Sequence, residues 1–153
     1  MKKTAVIVIF SILLVSIATP LVRANDISGK LGLGIGNPYI ALKYGLTSKL
    51  SGEVRGAFGS GITVYGIRGC YNFNPESEAV IFLGGEADLI NFDTEGISGE
   101  GNVLMVFVGL EYFLSNKLAL STDIGPALIT VSSEGTSVSG LEWVFNVGIN
   151  FYL

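Results

Sequence analysis

The chain has 153 residues, 49% hydrophobic and 14% charged, with 21 glycines and a formal net charge of −4; the length suits one domain, and the balance is unusually apolar for a soluble one. Its single cysteine, Cys70, excludes an intramolecular disulfide and cysteine-based zinc sites. The absence of histidine removes Ser-His-Asp and Cys-His catalysis and histidine-ligated metals.

Lys2 and Lys3 precede an apolar run over residues 5–17, followed by Pro20 and the small-residue pattern Val22-Arg23-Ala24. This order predicts a secretory signal peptide over residues 1–24, because the run is shorter than the ~20 residues that span a bilayer as a helix. The mature domain would then be residues 25–153. Removing Lys2, Lys3 and Arg23 from the nine basic residues leaves six against thirteen acidic ones, a net charge of −7, which argues against nucleic acid as a partner.

Over residues 29–36, Leu31, Leu33 and Ile35 alternate with Lys30, Gly32, Gly34 and Gly36, the period-two pattern of a strand with one apolar face. Asn37-Pro38 signals a turn, after which Ile40, Leu42, Tyr44 and Leu46 oppose Tyr39, Ala41, Lys43 and Gly45. A polar turn over residues 47–50 leads to a third strand, with Val54, Gly56 and Phe58 opposite Glu53, Arg55 and Ala57. Gly59-Ser60-Gly61 reads as a tight loop. The fourth strand, residues 62–73, sets Tyr65, Ile67, Tyr71 and Phe73 against Val64, Gly66, Arg68, Cys70 and Asn72.

Residues 74–77 supply a second polar turn. The fifth strand, residues 79–92, opposes Ile81, Leu83, Ala87 and Leu89 to Phe82, Gly84, Glu86 and Asp88. The acidic, glycine-rich residues 93–101 read as the longest loop. Asp93, Glu95 and Glu100 there lack the EF-hand pattern, so the segment is expected to be a solvated loop. The sixth strand, residues 102–114, and the third short turn, residues 115–117, follow. In the seventh strand, residues 118–131, Gly125-Pro126 is expected to form a bulge, because proline removes a ladder donor. Residues 132–139 read as a polar loop. The last strand, residues 141–153, places Leu141, Trp143, Phe145, Val147, Ile149, Phe151 and Leu153 on one face.

The charges carry the orientation. Lys30, Lys43, Glu53, Arg55, Arg68, Glu86, Asp88, Glu111, Asp123 and Glu142 all share the phase of the small residues, and none falls in the apolar phase. A soluble barrel reverses this arrangement, since water solvates its outer face. The pattern predicts an all-β, antiparallel up-and-down transmembrane β-barrel of about eight strands, with these ten residues forming a charge network in the lumen. Tyr44, Tyr71, Phe73, Tyr112 and Phe151 fall near the short-turn ends and Trp143 toward the opposite rim, as an interfacial aromatic girdle requires. Short turns after strands two, four and six, alternating with more varied connections, are the asymmetry of an outer-membrane barrel, in which both termini would lie on the short-turn, periplasmic side.

The signal peptide, the eight alternating segments, the turn Leu114-Ser115-Asn116-Lys117-Leu118 and the ending Gly148-Ile149-Asn150-Phe151-Tyr152-Leu153 together resemble the small bacterial outer-membrane β-barrel proteins. That group is represented by outer-membrane protein X and the membrane domain of outer-membrane protein A. The resemblance is architectural and implies location in the cell outer membrane, contact with its lipid, and insertion by the barrel assembly machinery. That machinery reads a terminal aromatic residue, commonly Phe, with apolar residues at alternate positions before it. Here the chain ends in Leu153, with Phe151, Ile149, Val147 and Phe145 in the expected phase.

These features predict a non-enzymatic barrel with a side-chain-filled polar lumen and a structural or surface-interaction role, its surface partner unnamed. Glu86 and Asp88 lie two apart on one inward face, a spacing that arises freely in polar-lined strands and does not by itself make a catalytic pair. No catalytic residue, metal site or cofactor is expected. The six inward carboxylates exceed the four bases, which leaves open a narrow cation-preferring, porin-like path. A soluble periplasmic ligand-binding β-barrel is the remaining alternative.

Overall fold

The computed structural model describes residues 26–94 and 96–153. The predicted leader, residues 1–24, and Glu95 of the acidic segment lie outside the described residues. Eight strands follow one another: β1 (Leu31–Asn37), β2 (Ile40–Gly45), β3 (Leu50–Gly59), β4 (Ile62–Asn72), β5 (Ala79–Thr94), β6 (Ile97–Phe113), β7 (Leu118–Ser133) and β8 (Thr136–Tyr152). Each pairs antiparallel with its sequence neighbour, and β1 pairs with β8 to close an up-and-down barrel. Closure pairs both terminal strands, so the sheet has no edge strand that is free along its whole length.

Several connections differ from the sequence-based expectation. Residues 93–101 are not a long loop: β5 runs on to Thr94 and β6 starts at Ile97, with Asp93 opposite Ser98 and Asn91 opposite Glu100. Residues 132–139 are a hairpin as well, with Ser133 opposite Thr136 across Glu134 and Gly135. Both turn residues have positive φ, 49° and 79°, the geometry whose twist matches that of paired strands. The Ser, Thr and Gly content that suggested loops belongs to strand ends that face water. As a result the four connections on this side span two residues each, and the expected asymmetry of loop length is absent.

The predicted bulge at Pro126 is also absent. Ala127 pairs with Met105 on one side of the gap and Ile124 with Val108 on the other, in one unbroken register, while Pro126 faces Trp143 on β8. Proline is accommodated because Gly125 lets the β6 chain come close; a Cβ at Gly125 would collide with the Val106 carbonyl oxygen. Inside–outside alternation therefore continues through residues 127–133.

The wall is uneven in height. β1 has 7 residues and β2 has 6, whereas β5 to β8 have 16 or 17; at ~3.3 Å per residue the tall strands run about 50 Å and β1 about 23 Å. Pairing between β1 and β8 stops at Asn37 and Val147, so β8 from Thr136 to Asn146 has a partner only in β7. Above Leu89, Leu104, Leu128 and Leu141 the outward positions change character to Asn91, Asn102, Thr130 and Ser139. Thr130 and Ser139 hydrogen-bond there at 2.9 Å, and the Ser132 hydroxyl donates to that of Ser137 at 3.0 Å. On β5 to β7 the inward side chains Ile90, Val103, Ile129 and Val131 at this height are apolar and half-buried, whereas Val138 on β8 is exposed.

Candidate functional site

The interior is built from the inward phase of every strand, and it divides into layers. At the end holding the termini, Ile27 tucks under the barrel against Val80, Phe113, Ala119 and Tyr152, all buried. Phe113 and Tyr152 stack with centroids 5.6 Å apart. This layer closes one mouth with apolar side chains.

Above it lies Lys43 on β2, whose ammonium donates to Glu111 Oε2 at 2.7 Å. Glu111, only 1% exposed, also accepts from the Tyr152 hydroxyl at 2.8 Å and from the Asn150 amide. Two neutral donors and one cation thus satisfy a carboxylate that would otherwise be very costly to bury. The ammonium also lies 5.8 Å from the ring centres of Phe82 and Tyr152.

The next layer is a chain of alternating charge. Arg55 on β3 donates to Glu53 Oε1 through Nε at 3.0 Å and Nη2 at 2.8 Å, and to Glu86 Oε1 through Nη1 at 3.1 Å. Arg68 on β4 forms a two-pronged pair with Asp123 on β7, Nη1 to Oδ2 at 3.0 Å and Nη2 to Oδ1 at 2.9 Å. Arg68 Nε stands 2.9 Å from Glu86 Oε2 but is too poorly aligned for a hydrogen bond, so that contact is coulombic. The Asn146 amide donates to Asp123 Oδ1 at 2.9 Å. The Arg55 guanidinium lies 3.8 Å from the centre of the Tyr39 ring and that of Arg68 3.6 Å from Phe107, so both cations are held by a π face as well as by carboxylates.

The structure therefore brings together eight of the ten charges expected in the lumen. Glu53, Arg55, Glu86, Arg68 and Asp123 form the chain, Lys43 and Glu111 form a separate pair, and Asp88 is buried beside Glu86. Lys30 and Glu142 are not brought in. Lys30 precedes β1 at the terminal mouth and is half-buried. Glu142 has the inward phase but stands above the level where β1 ends, so it is flanked by β7 alone and is exposed.

Residues of uncharged type complete the site: Tyr39, Phe82, Phe107, Asn146, Asn150 and Tyr152. They share the charged phase, but the signal that marks the aromatic ones is a glycine opposite them. Phe107 pairs with Gly84 and Phe82 with Gly109. Each ring lies where the Cβ of its partner would stand. Phe82 and Phe107 then meet edge-on, with centroids 6.2 Å apart. Cys70 is buried among them and makes no disulfide.

The expected girdle residues all lie on the outer wall. Tyr44, Tyr71, Phe73 and Phe151 are exposed and Tyr112 is half-buried at the terminal end, with Tyr71 and Phe73 edge-to-face at 5.4 Å. Trp143, 72% exposed, lies in the opposite half against Pro126. In the acidic segment, Asp93 and Glu100 are exposed strand residues, and among the described residues no group of three or more metal-ligating side chains is assembled.

No protein-family model and no curated protein matches the chain. Among solved structures it is similar to the N-terminal β-barrel domain of Pseudomonas aeruginosa OprF, with a TM-score of 0.51 at 10% identity over 81% of this chain and 94% of that one. That likeness is one of fold: an eight-stranded antiparallel barrel closed between its first and last strands.

Proposed function

We propose that the protein is an exported, integral outer-membrane β-barrel with a lumen filled by side chains, serving a structural or surface-interaction role and catalysing no reaction. The observation that carries this reading is the polarity of the wall. Leu33, Leu42, Ile67, Leu83, Val106, Ile124 and Ile149 are exposed around the outside, while Lys43, Arg55, Arg68, Glu86, Asp88, Glu111 and Asp123 are buried within. A water-solvated barrel puts these groups the other way round, and a continuous apolar belt far exceeds the few hundred Å² that soluble monomers expose. On a lipid-facing wall a midplane Arg or Lys costs ~2–4 kcal/mol, which accounts for the outer apolar belt lacking them.

The long strands exceed the ~9–11 residues that cross a bilayer as tilted β-structure. Their polar-faced outer ends would stand clear of the membrane and offer a surface to a partner. Lipid is the partner of the apolar belt, and the barrel assembly machinery the partner during insertion. The ion pairs and rings that cross the lumen favour a closed plug over a narrow cation path. The reading is tested by washing membranes with carbonate and running the retained protein, heated and unheated, on a gel. An integral barrel stays in the pellet and migrates faster unheated; a soluble ligand-binding barrel is released by the wash.

A further inference from the structure

β8 carries a long stretch with one free side. β1 pairs with it only as far as Asn37 opposite Val147, so Thr136 to Asn146 are laddered to β7 alone. β2 begins at Ile40, opposite Gly56, while β3 runs on to Gly59, and the wall is notched above the β1–β2 turn. The Tyr152 N–H donates to the Lys117 carbonyl on the β7 side, and the Leu153 N–H donates to the Leu31 carbonyl of β1. Consecutive residues of an antiparallel ladder turn their N–H and C=O groups to opposite sides. Those of Ser139, Leu141, Trp143 and Phe145 therefore point into the notch.

The side chains of Leu141, Trp143 and Phe145 are exposed on the outer wall within the apolar belt. With that belt in lipid, backbone groups that lack a hydrogen-bond partner are costly, and lipid tails offer none. A further strand supplies donors and acceptors at the matching spacing. Glu142, of the opposite phase, is an exposed carboxylate in the middle of the free stretch. Among the described residues the exposed charges at this end are all acidic, Asp93, Glu100, Glu134 and Glu142, while the exposed Lys49 and Lys117 lie in turns at the other end. The edge thus calls for a strand that carries a base. A second copy does not fit: inserted in the same direction, it would present its own β8 with the lipid face reversed and its Glu142 against this one.

We infer that the free edge of β8 receives an extended segment of a partner protein, which continues the ladder antiparallel where β1 leaves it. Its apolar side chains lie beside Leu141, Trp143 and Phe145, and a Lys or Arg stands opposite Glu142. This gives the surface role proposed above a class of partner, and it rests on that reading for the depth at which the edge lies.

The purified full chain, labelled with ¹⁵N and folded in lipid nanodiscs, is titrated with a short peptide of alternating valine and threonine that has one lysine at the position facing Glu142. The expected result is a saturating shift of the amide signals of Ser139, Leu141, Trp143 and Phe145, with those of Glu142 and Val144, which point to β7, moving far less. The same peptide N-methylated on the amides that face β8 should bind about tenfold more weakly or worse. Leu141→Pro removes an N–H that faces the notch and leaves the β7 ladder whole, and should weaken binding as much. Glu142→Lys should reverse the preference between the lysine peptide and its glutamate counterpart. Silent edge amides, equal binding of the methylated peptide, an unreversed charge preference, or β8-to-β8 contacts between two copies without peptide each overturn the proposal. Release of the protein by the carbonate wash overturns the outer-membrane reading and this proposal with it. A chain that stays in the pellet and binds no peptide overturns this proposal alone.

Discussion

Arg68 and Asp123, 55 positions apart in the chain, face each other across the lumen through two hydrogen bonds of 3.0 and 2.9 Å, and both are buried. One pair thereby ties β4 to β7, two strands that are not neighbours in the wall. The sheet ladder holds each strand to the next, whereas this bridge braces the cylinder across its width. Its planar fork matches a carboxylate in a way that an ammonium does not.

Arg68→Ala should cost about 3–5 kcal/mol, because it leaves the Asp123 carboxylate buried with only the Asn146 amide. Lys117→Ala, in an exposed turn, should stay within about 0.5 kcal/mol of the parent. Urea unfolding of the refolded barrel in lipid vesicles measures both. Equal losses would mean that the interior pair contributes no more than a surface charge.

The Lys43–Glu111 pair predicts non-additivity. Lys43→Met strands a carboxylate and Glu111→Met strands an ammonium, so each single change should destabilise by about 3–5 kcal/mol. The double change removes both charges together and should lose less than either single one. A double-mutant cycle on the same unfolding assay reads this coupling, and simple additivity would refute it.

Phe82 over Gly109 predicts a steric clash that can be relieved. Gly109→Ala drives a methyl into the ring and against the Thr122 carbonyl oxygen, and should cost about 1–3 kcal/mol. Phe82→Leu in the same chain should recover part of that loss, although Phe82→Leu alone is destabilising. If Gly109→Ala melts as the parent does, the ring does not occupy the glycine's vacant side.

The barrel was legible because period two is hard to mistake over long runs such as 102–114 and 141–153, and the inward phase followed from where Arg55, Arg68 and Glu111 fell. Strand ends were not legible. Ser132, Ser133, Ser137 and Ser139 look like a loop by composition, yet they pair as a hairpin, because hydroxyls bond across the strands and Glu134-Gly135 makes the turn. Pro126 misled for a related reason: one missing donor is tolerated where Gly125 permits close approach, and nothing local announces that. Glu142 has the inward phase, but phase says nothing about how tall the facing wall is. Only the register shows that β1 stops below it. The aromatic–glycine pairs were invisible for the same cause, since which glycine faces Phe107 depends on the alignment of β5 with β6.

Trp143 is the only tryptophan and stands 72% exposed on the outer wall, so its fluorescence tests which solvent surrounds the barrel without any substitution. In vesicles of lipids brominated along their acyl chains, its emission should fall strongly compared with unbrominated vesicles, while iodide in the water should quench it weakly. Emission untouched by bromine and freely quenched by iodide would place the apolar belt in water and contradict the account.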